Sequence, residues 1–183
     1  MSIPHILLVP YPAQGHVMPL MELAQIIAKR GLKVTFVNTD FLHNQIVNAL
    51  SNKDGFEDGI HMVSLPNGLE PWEDRMDIAK VTEAVHRFMP GKLQELIENI
   101  NNAEDDDKIS CVIADVSVGW ALEVADNLNI RPVVFCPAAA AQLAVFLSLP
   151  KLLENGIVEN DGNITKKQII HLSPTNHNAT REH

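Results

Sequence analysis

Short apolar runs alternate with amphipathic stretches along this chain. The apolar runs are typical of β-strands covered on both faces, because such strands lose the polar alternation of half-exposed ones. The amphipathic stretches have the apolar spacing of α-helices that pack on a core. Strands are predicted at 6–9, 33–38, 60–65, 109–115 and 132–136. Helices are predicted from the turn that contains Pro19 to about Arg30, and at 42–50, 77–101, 118–128 and 138–149.

This alternation predicts the fold class. It favours an α/β protein with a doubly wound, Rossmann-like parallel sheet and right-handed crossovers, in which the strand order is 3-2-1-4-5. Pro90-Gly91 is expected to kink or split the helix at 77–101. The pattern weakens after Pro150, so we expect one domain over 1–172 and a polar tail at 173–183.

Composition and charge argue against several classes of partner. The chain has 183 residues and a net charge of −9, and its Lys and Arg residues form no long cluster, which disfavours a nucleic-acid or anionic-membrane surface. Its longest apolar stretch, 138–149, is shorter than the roughly 20 residues that a membrane span needs. Cys111 and Cys136 stand alone in apolar runs, so we expect buried free thiols, no metal site and a reducing, cytoplasmic location.

A histidine follows the first strand, at the edge where such sheets bind ligands. Gly15, just before it, is expected to give the loop a backbone conformation that is closed to other residues. Open α/β sheets bind ligands at the carboxyl ends of their strands, and histidine is the side chain whose ordinary pKa suits proton transfer near neutrality. His16 is therefore a candidate general base. The alternative is a loop histidine whose ring merely finds a backbone partner.

Asp115 ends the fourth strand as His16 follows the first. Strands one and four are neighbours in the predicted order, so the two side chains are expected to meet in one crevice. A carboxylate beside a histidine orients the ring and stabilises the imidazolium that forms when the ring takes a proton. The alternative is that Asp115 only caps the helix that begins near Val118.

Two segments of the chain resemble a known family. They are the run Pro-Tyr-Pro-Ala-Gln-Gly-His-Val-Met-Pro at 10–19, and Val-Ile-Ala-Asp at 112–115 with Trp120-Ala121 behind it. Together they resemble the UDP-sugar-dependent glycosyltransferases of plant small-molecule metabolism, which have two Rossmann-like domains. The order of elements from residue 4 to about 160 is similar to the amino-terminal, acceptor-binding domain of that family.

The resemblance implies a reaction and a set of site residues. His16 would deprotonate a hydroxyl of a small-molecule acceptor, and Asp115 would hold the histidine and stabilise its charged form. The activated oxygen would displace UDP from the sugar with inversion, so a UDP-hexose, with glucose expected, is a co-substrate and no cofactor is needed. The acceptor pocket would be lined from 66–90, 118–120 and 137–146. The substrate-binding candidates are Gly15, Trp72, Phe88, Trp120 and Phe146, although aromatic residues at helical spacing are more often core.

The chain also departs from the family pattern. Family members carry a carboxyl-terminal domain whose His-Cys-Gly-Trp-Asn-Ser run binds the UDP-sugar, and this sequence has no such run. We therefore expect a chain truncated within or just after the acceptor domain, with the donor bound through the missing domain. On this expectation the 183 residues alone would be inactive.

Three other interpretations stay open at this point. Asp115-Val116-Ser117-Val118-Gly119 lies between strand and helix like the nucleophile elbow of an α/β serine hydrolase, but Asp115 occupies a position that is usually glycine. Asp40 ends strand two where a ribose-binding acid of an NAD module would stand, but the first turn has only Gly15 instead of a Gly-x-Gly-x-x-Gly run. The third interpretation is a non-catalytic acceptor-binding fragment.

Overall fold

The computed structural model describes residues 3–43, 46, 59–70, 72–103 and 107–165. It divides into two compact units, Met1–Pro137 and Ala138–His183. The first unit contains a five-stranded sheet with its helices. Within 138–165, the described part of the second unit, one helix is followed by a short antiparallel bridge between Val158 and Ile164.

All neighbouring strands of the sheet run parallel, in the order β3-β2-β1-β4-β5. This confirms the predicted doubly wound arrangement and its strand order. The bounds differ from the predicted ones by at most one residue at either end. The strands are β1 His5–Val9, β2 Lys33–Thr39, β3 Ile60–Leu65, β4 Ile109–Asp115 and β5 Arg131–Phe135.

Helices of the first unit cover both faces of the sheet. They are α1 Gln14–Lys29, α2 Ile78–Asn101 and α3 Gly119–Asn127, the last preceded by a 3-10 turn at Val116–Val118. The second unit contains helix α4 Ala140–Glu154. The helix predicted at 42–50 lies mostly outside the described residues; a helical turn is present at 40–43.

Successive residues of β1 enter two different cores, because side chains of a strand alternate between its faces. Leu7 and Val9 pack in the core formed with α2 and α3, and Leu8 packs in the core formed with α1. All three side chains are fully buried. This explains why strand one is a continuous apolar run, as a strand covered on both faces requires.

Helix α1 begins earlier than the sequence predicted. It starts at Gln14, so Pro19 lies inside the helix and His16 lies in its first turn instead of in a loop. Proline has no N–H to donate to the carbonyl of Gly15, which costs the helix one hydrogen bond. Burial of Val17 and Leu20 on either side of that point offsets the cost. The expectation for Gly15 was also wrong, since its backbone is helical and its φ is not positive.

Two other helices also continue through a proline. Helix α2 is not split at Pro90-Gly91, because buried side chains before and after that point, Met89 and Leu93 among them, hold it on the sheet. Helix α4 was predicted to end at 149 but runs through Pro150 to Glu154. In each case the lost hydrogen bond is smaller than the apolar burial that the longer helix retains.

Candidate active site

His16 and Asp115 meet at the carboxyl edge of the sheet, as their positions after β1 and at the end of β4 predict. His16 Nδ1 lies 2.8 Å from Asp115 Oδ2, although the residues are 99 positions apart in sequence. Asp115 is fully buried, and its Oδ1 accepts a 2.8 Å hydrogen bond from the Ser117 N–H. The carboxylate therefore partners the histidine and also caps the 3-10 turn. Helix α3 has no side-chain cap, so the alternative that Asp115 only caps this helix is wrong. Two hydrogen bonds offset the cost of burying its charge.

The carboxylate fixes the tautomer of His16. An ionised carboxylate only accepts hydrogen bonds, so Nδ1 of the neutral ring carries the proton and donates a hydrogen bond to Asp115. The other nitrogen, Nε2, is left with its lone pair. The His16 side chain is 31% exposed, so a ligand has access to it. This is the arrangement in which an imidazole accepts a proton from a bound hydroxyl.

The Tyr11 ring contacts the His16 ring. The two ring centroids are 5.2 Å apart with an interplanar angle of 62°, an edge-to-face contact. Thr82 Oγ1 donates a 2.7 Å hydrogen bond to the Ile78 carbonyl, so the Tyr11 hydroxyl donates to Thr82 Oγ1 over 2.8 Å. This two-step hydrogen-bond chain ties the tyrosine, and through it the histidine ring, to the first turns of α2.

A cavity of about 450 Å³ opens beside the His16 ring. Its volume lies within the range of small-molecule sites. Its walls combine apolar and aromatic groups with a few polar ones. The lining residues are Tyr11, Pro12, Ala13, His16, Arg75, Ile78, Val81, Thr82 and Ser117.

Arg75 brings a positive charge to this cavity. Its Nη2 donates two long hydrogen bonds, 3.5 Å to the Leu69 carbonyl and 3.4 Å to the Glu70 carbonyl. Its guanidinium carbon lies 5.0 Å from the centre of the Phe41 ring. Nη1 is enclosed and has no hydrogen-bond partner within the described part of the chain.

A larger cavity, of about 540 Å³, lies at the amino edge of the sheet. Several of its polar groups already have protein partners. His5 Nδ1 lies 2.8 Å from the Asp107 carbonyl and His5 Nε2 lies 2.8 Å from Thr35 Oγ1, while Lys33 Nζ pairs with the Asp107 carboxylate. The cavity at the carboxyl edge instead contains the accessible His16 ring and the Arg75 guanidinium, whose Nη1 has no hydrogen-bond partner in the described ranges. It is therefore the better candidate for an active site.

The other residues predicted to bind substrate are dispersed. A side chain built on Gly15 would meet nothing within 4 Å, so space in front of this residue is open. Trp72 is 81% exposed, and Phe88 lines a separate cavity of about 210 Å³. Trp120 is 8% exposed and belongs to the core with α2 and α3. Phe146 belongs to the second unit and is 49% exposed.

Sequence reasoning did not single out Tyr11, Arg75 or Thr82. Tyr11 stands inside the quoted run at 10–19, and Thr82 shares a helix face with Ile78 because they are four residues apart, so both carried a usable signal. Arg75 lies in an irregular stretch without periodicity, so only the range 66–90 that the resemblance implied for the acceptor pocket included it. Ser117, the residue of the hydrolase interpretation, also lines the cavity, but the buried carboxylate two residues before it already bonds to the histidine.

The ranges that the structure describes contain no group of three or more His, Cys, Asp or Glu suited to a metal ion. Cys111 and Cys136 form no disulfide and are half-buried, less enclosed than predicted. Burial raises the pKa of the Cys111 thiol, while the nearby Arg131 charge opposes that shift. Within the same described ranges, none of the helices combines the length and apolar content needed to cross a bilayer.

Comparison with known proteins shows which family this chain is similar to. Residues 4–60 match the family model for the glycosyltransferase N-terminal domain. UDP-glycosyltransferase 83A1 of Arabidopsis thaliana is 45% identical over 179 residues, which is 95% of this chain and 39% of the relative. Over most of its length the chain is similar to part of a plant UDP-glycosyltransferase.

Other relatives show the same similarity. Mogroside I-A1 synthase of Siraitia grosvenorii is 31% identical over 154 residues, covering 84% of this chain and 29% of that protein. A solved structure of a Polygonum tinctorium UDP-glucosyltransferase superposes with a TM-score of 0.65 at 24% identity, covering 84% of this chain and 34% of that one. At this identity the structural likeness supports the fold alone. The chain thus spans well under half the length of the glycosyltransferases it matches.

Proposed function

We propose that this chain provides the acceptor-binding and base-supplying half of an inverting UDP-glycosyltransferase. The reaction would transfer a hexose, with glucose expected, from a UDP-sugar to a hydroxyl of a small molecule. The observation that carries the proposal is the buried Asp115 carboxylate that holds the ring of an accessible histidine at the mouth of a 450 Å³ cavity. A cytoplasmic location, inferred from two cysteines that form no disulfide, belongs to the same proposal.

The proposed step uses both nitrogens of His16. An acceptor hydroxyl in the cavity donates its proton to Nε2 as its oxygen bonds to the anomeric carbon of the sugar. The bond from that carbon to the UDP oxygen breaks, UDP leaves with the electron pair, and the anomeric centre inverts. The imidazolium that results keeps its Nδ1–H on Asp115, whose negative charge stabilises it. A positioned base of this kind is worth about 10²–10⁴-fold in rate.

Binding of the UDP-sugar is not assigned to the cavity beside His16. The relatives are more than twice as long as this chain, which covers 39% of the Arabidopsis protein. We assign UDP-sugar binding to the part of the family that this chain does not match. Residues of the first unit, Met1–Pro137, would contribute the base and the acceptor cavity.

The experiment joins this chain to the remaining carboxyl-terminal part of the Arabidopsis relative, and this protein is called the fusion enzyme below. The fusion enzyme is incubated with UDP-glucose and a small phenol, and the anomeric proton of the product is followed by NMR. Because UDP-glucose is α-linked, the proposal expects a β-glucoside and release of UDP. An α-glucoside, or hydrolysis of UDP-glucose without transfer to the phenol, would contradict it.

A further inference from the structure

The charge of Arg75 is the feature of the cavity that the proposed reaction leaves unused. Three carboxylates lie close to this residue in sequence, and each of them accepts a hydrogen bond from backbone. Glu73 bonds to the Glu70 N–H over 2.8 Å, Asp74 to the Met76 N–H over 2.8 Å, and Asp77 to the Lys80 N–H over 3.1 Å. No ion pair joins Arg75 to a carboxylate in the described ranges.

The contacts that Arg75 makes do not neutralise its positive charge. Two carbonyl contacts at 3.4 and 3.5 Å are long for hydrogen bonds, and a ring face gives a cation only a modest attraction. An enclosed N–H without an acceptor, as at Nη1, is costly. A half-buried guanidinium in this state attracts an anion that enters the same cavity, and the planar geometry of arginine suits a carboxylate best.

We propose that the acceptor carries a carboxylate that pairs with Arg75 while its hydroxyl lies at His16. This inference rests on the proposed function, since it identifies the chemical class of the acceptor of that same site. The lining of the same cavity also includes Tyr11, Ile78 and Val81, which suit an apolar body. The class is therefore a small hydroxylated carboxylic acid with an aromatic or aliphatic core.

The test measures binding of isosteric probes to the 183-residue chain. Calorimetric titrations compare 4-hydroxybenzoate with 4-hydroxybenzamide, and 4-hydroxycinnamate with its amide, so that only the charge differs within a pair. The proposal expects the acid of at least one pair to bind roughly tenfold more tightly than its amide, the size of one charge-assisted hydrogen bond. Arg75→Gln should remove this preference and leave the affinity for the amides within about twofold.

Arg87→Gln is the matched control. Arg87 lies over the Phe88 ring at 5.4 Å and lines the separate 210 Å³ cavity, so this substitution makes the same change in net charge at a different place. It should leave the preference for the acids unchanged. Equal affinity for acid and amide in both pairs, no binding of any probe, or an equal loss in the Arg87 and Arg75 variants would each overturn the inference.

The fusion enzyme separates this inference from the proposed function. If it glucosylates both members of a pair and the chain binds them equally, the inference fails and the proposed function stands. If the chain shows the Arg75-dependent preference but the fusion enzyme transfers no glucose to any probe, the proposed function fails and the carboxylate site stands.

Discussion

Asp115 determines which nitrogen of His16 is free to accept a proton. In Asp115→Asn, the introduced amide oxygen accepts the Ser117 N–H, and its NH₂ group then donates to His16 Nδ1. That exchange moves the ring proton to Nε2, which becomes a donor and cannot act as a base. We expect glucose transfer by the fusion enzyme to fall by about 10²-fold or more, with the fold retained.

Nitrogen-15 NMR of the histidine ring checks this prediction. The unsubstituted chain should carry the ring proton on Nδ1, and Asp115→Asn should carry it on Nε2. An unchanged tautomer, or an unchanged transfer rate with the tautomer reversed, would show that Asp115 does not act through the histidine.

Tyr11 is expected to position the His16 ring through its bond to Thr82. Tyr11→Phe keeps the edge contact but removes the hydroxyl, so the ring loses its connection to α2. One neutral hydrogen bond is worth about 0.5–1.5 kcal/mol, so kcat of the fusion enzyme should fall by roughly 2–10-fold. Thr82→Val removes the same bond from its other end. The double variant should therefore lose no more than either single variant, whereas additive losses would contradict a shared tether.

The sequence predicted the bounds of the strands better than the ends of helices α1 and α4. Strands one and four are apolar runs because they are buried on both faces, so their bounds could be read from the residues alone. Proline does not begin α1, split α2 or end α4 as predicted, because the apolar burial that each longer helix retains is larger than the local cost of the proline. This matters for the site, since the early start of α1 places His16 in a helical turn.

The loop after β3 depends on a close contact with α2. Gly68 has a φ of +79°, and a Cβ there would lie 2.3 Å from the Phe88 ring. Gly68→Ala should therefore lower the free energy of unfolding by about 2–4 kcal/mol, through left-handed strain and overpacking. Phe88 in this structure packs on that glycine, which explains why an aromatic residue stands at an exposed helix position.

Gly91→Ala is the control for this prediction. Gly91 lies inside α2 with nothing within 4 Å of a built Cβ, so alanine should raise stability by up to about 1 kcal/mol. Urea unfolding of both variants measures the difference. A Gly68 variant as stable as the unsubstituted chain would show that the Phe88 contact does not constrain the loop.

At the scale of the whole molecule, topology brings the site together. The predicted strand order makes β1 and β4 neighbours, and this alone was enough to predict that His16 and Asp115 meet. The resemblance gave only the range 66–90 for the rest of the cavity, and the side chains that line it could not be predicted, because Arg75 lies in an irregular segment whose path depends on packing against α2 and Phe41. Periodicity reports which face of an element is buried, but it carries no information about such a path.

The most direct test of the account replaces His16 itself in the fusion enzyme. His16→Asn keeps an N–H that can bond to Asp115, so the buried carboxylate retains a partner, but it has no basic nitrogen. The account predicts that kcat for glucose transfer falls by about 10²–10⁴-fold while the unfolding temperature stays close to that of the unsubstituted protein. Transfer at the unsubstituted rate by a folded His16→Asn enzyme would contradict the assignment of His16 as the base.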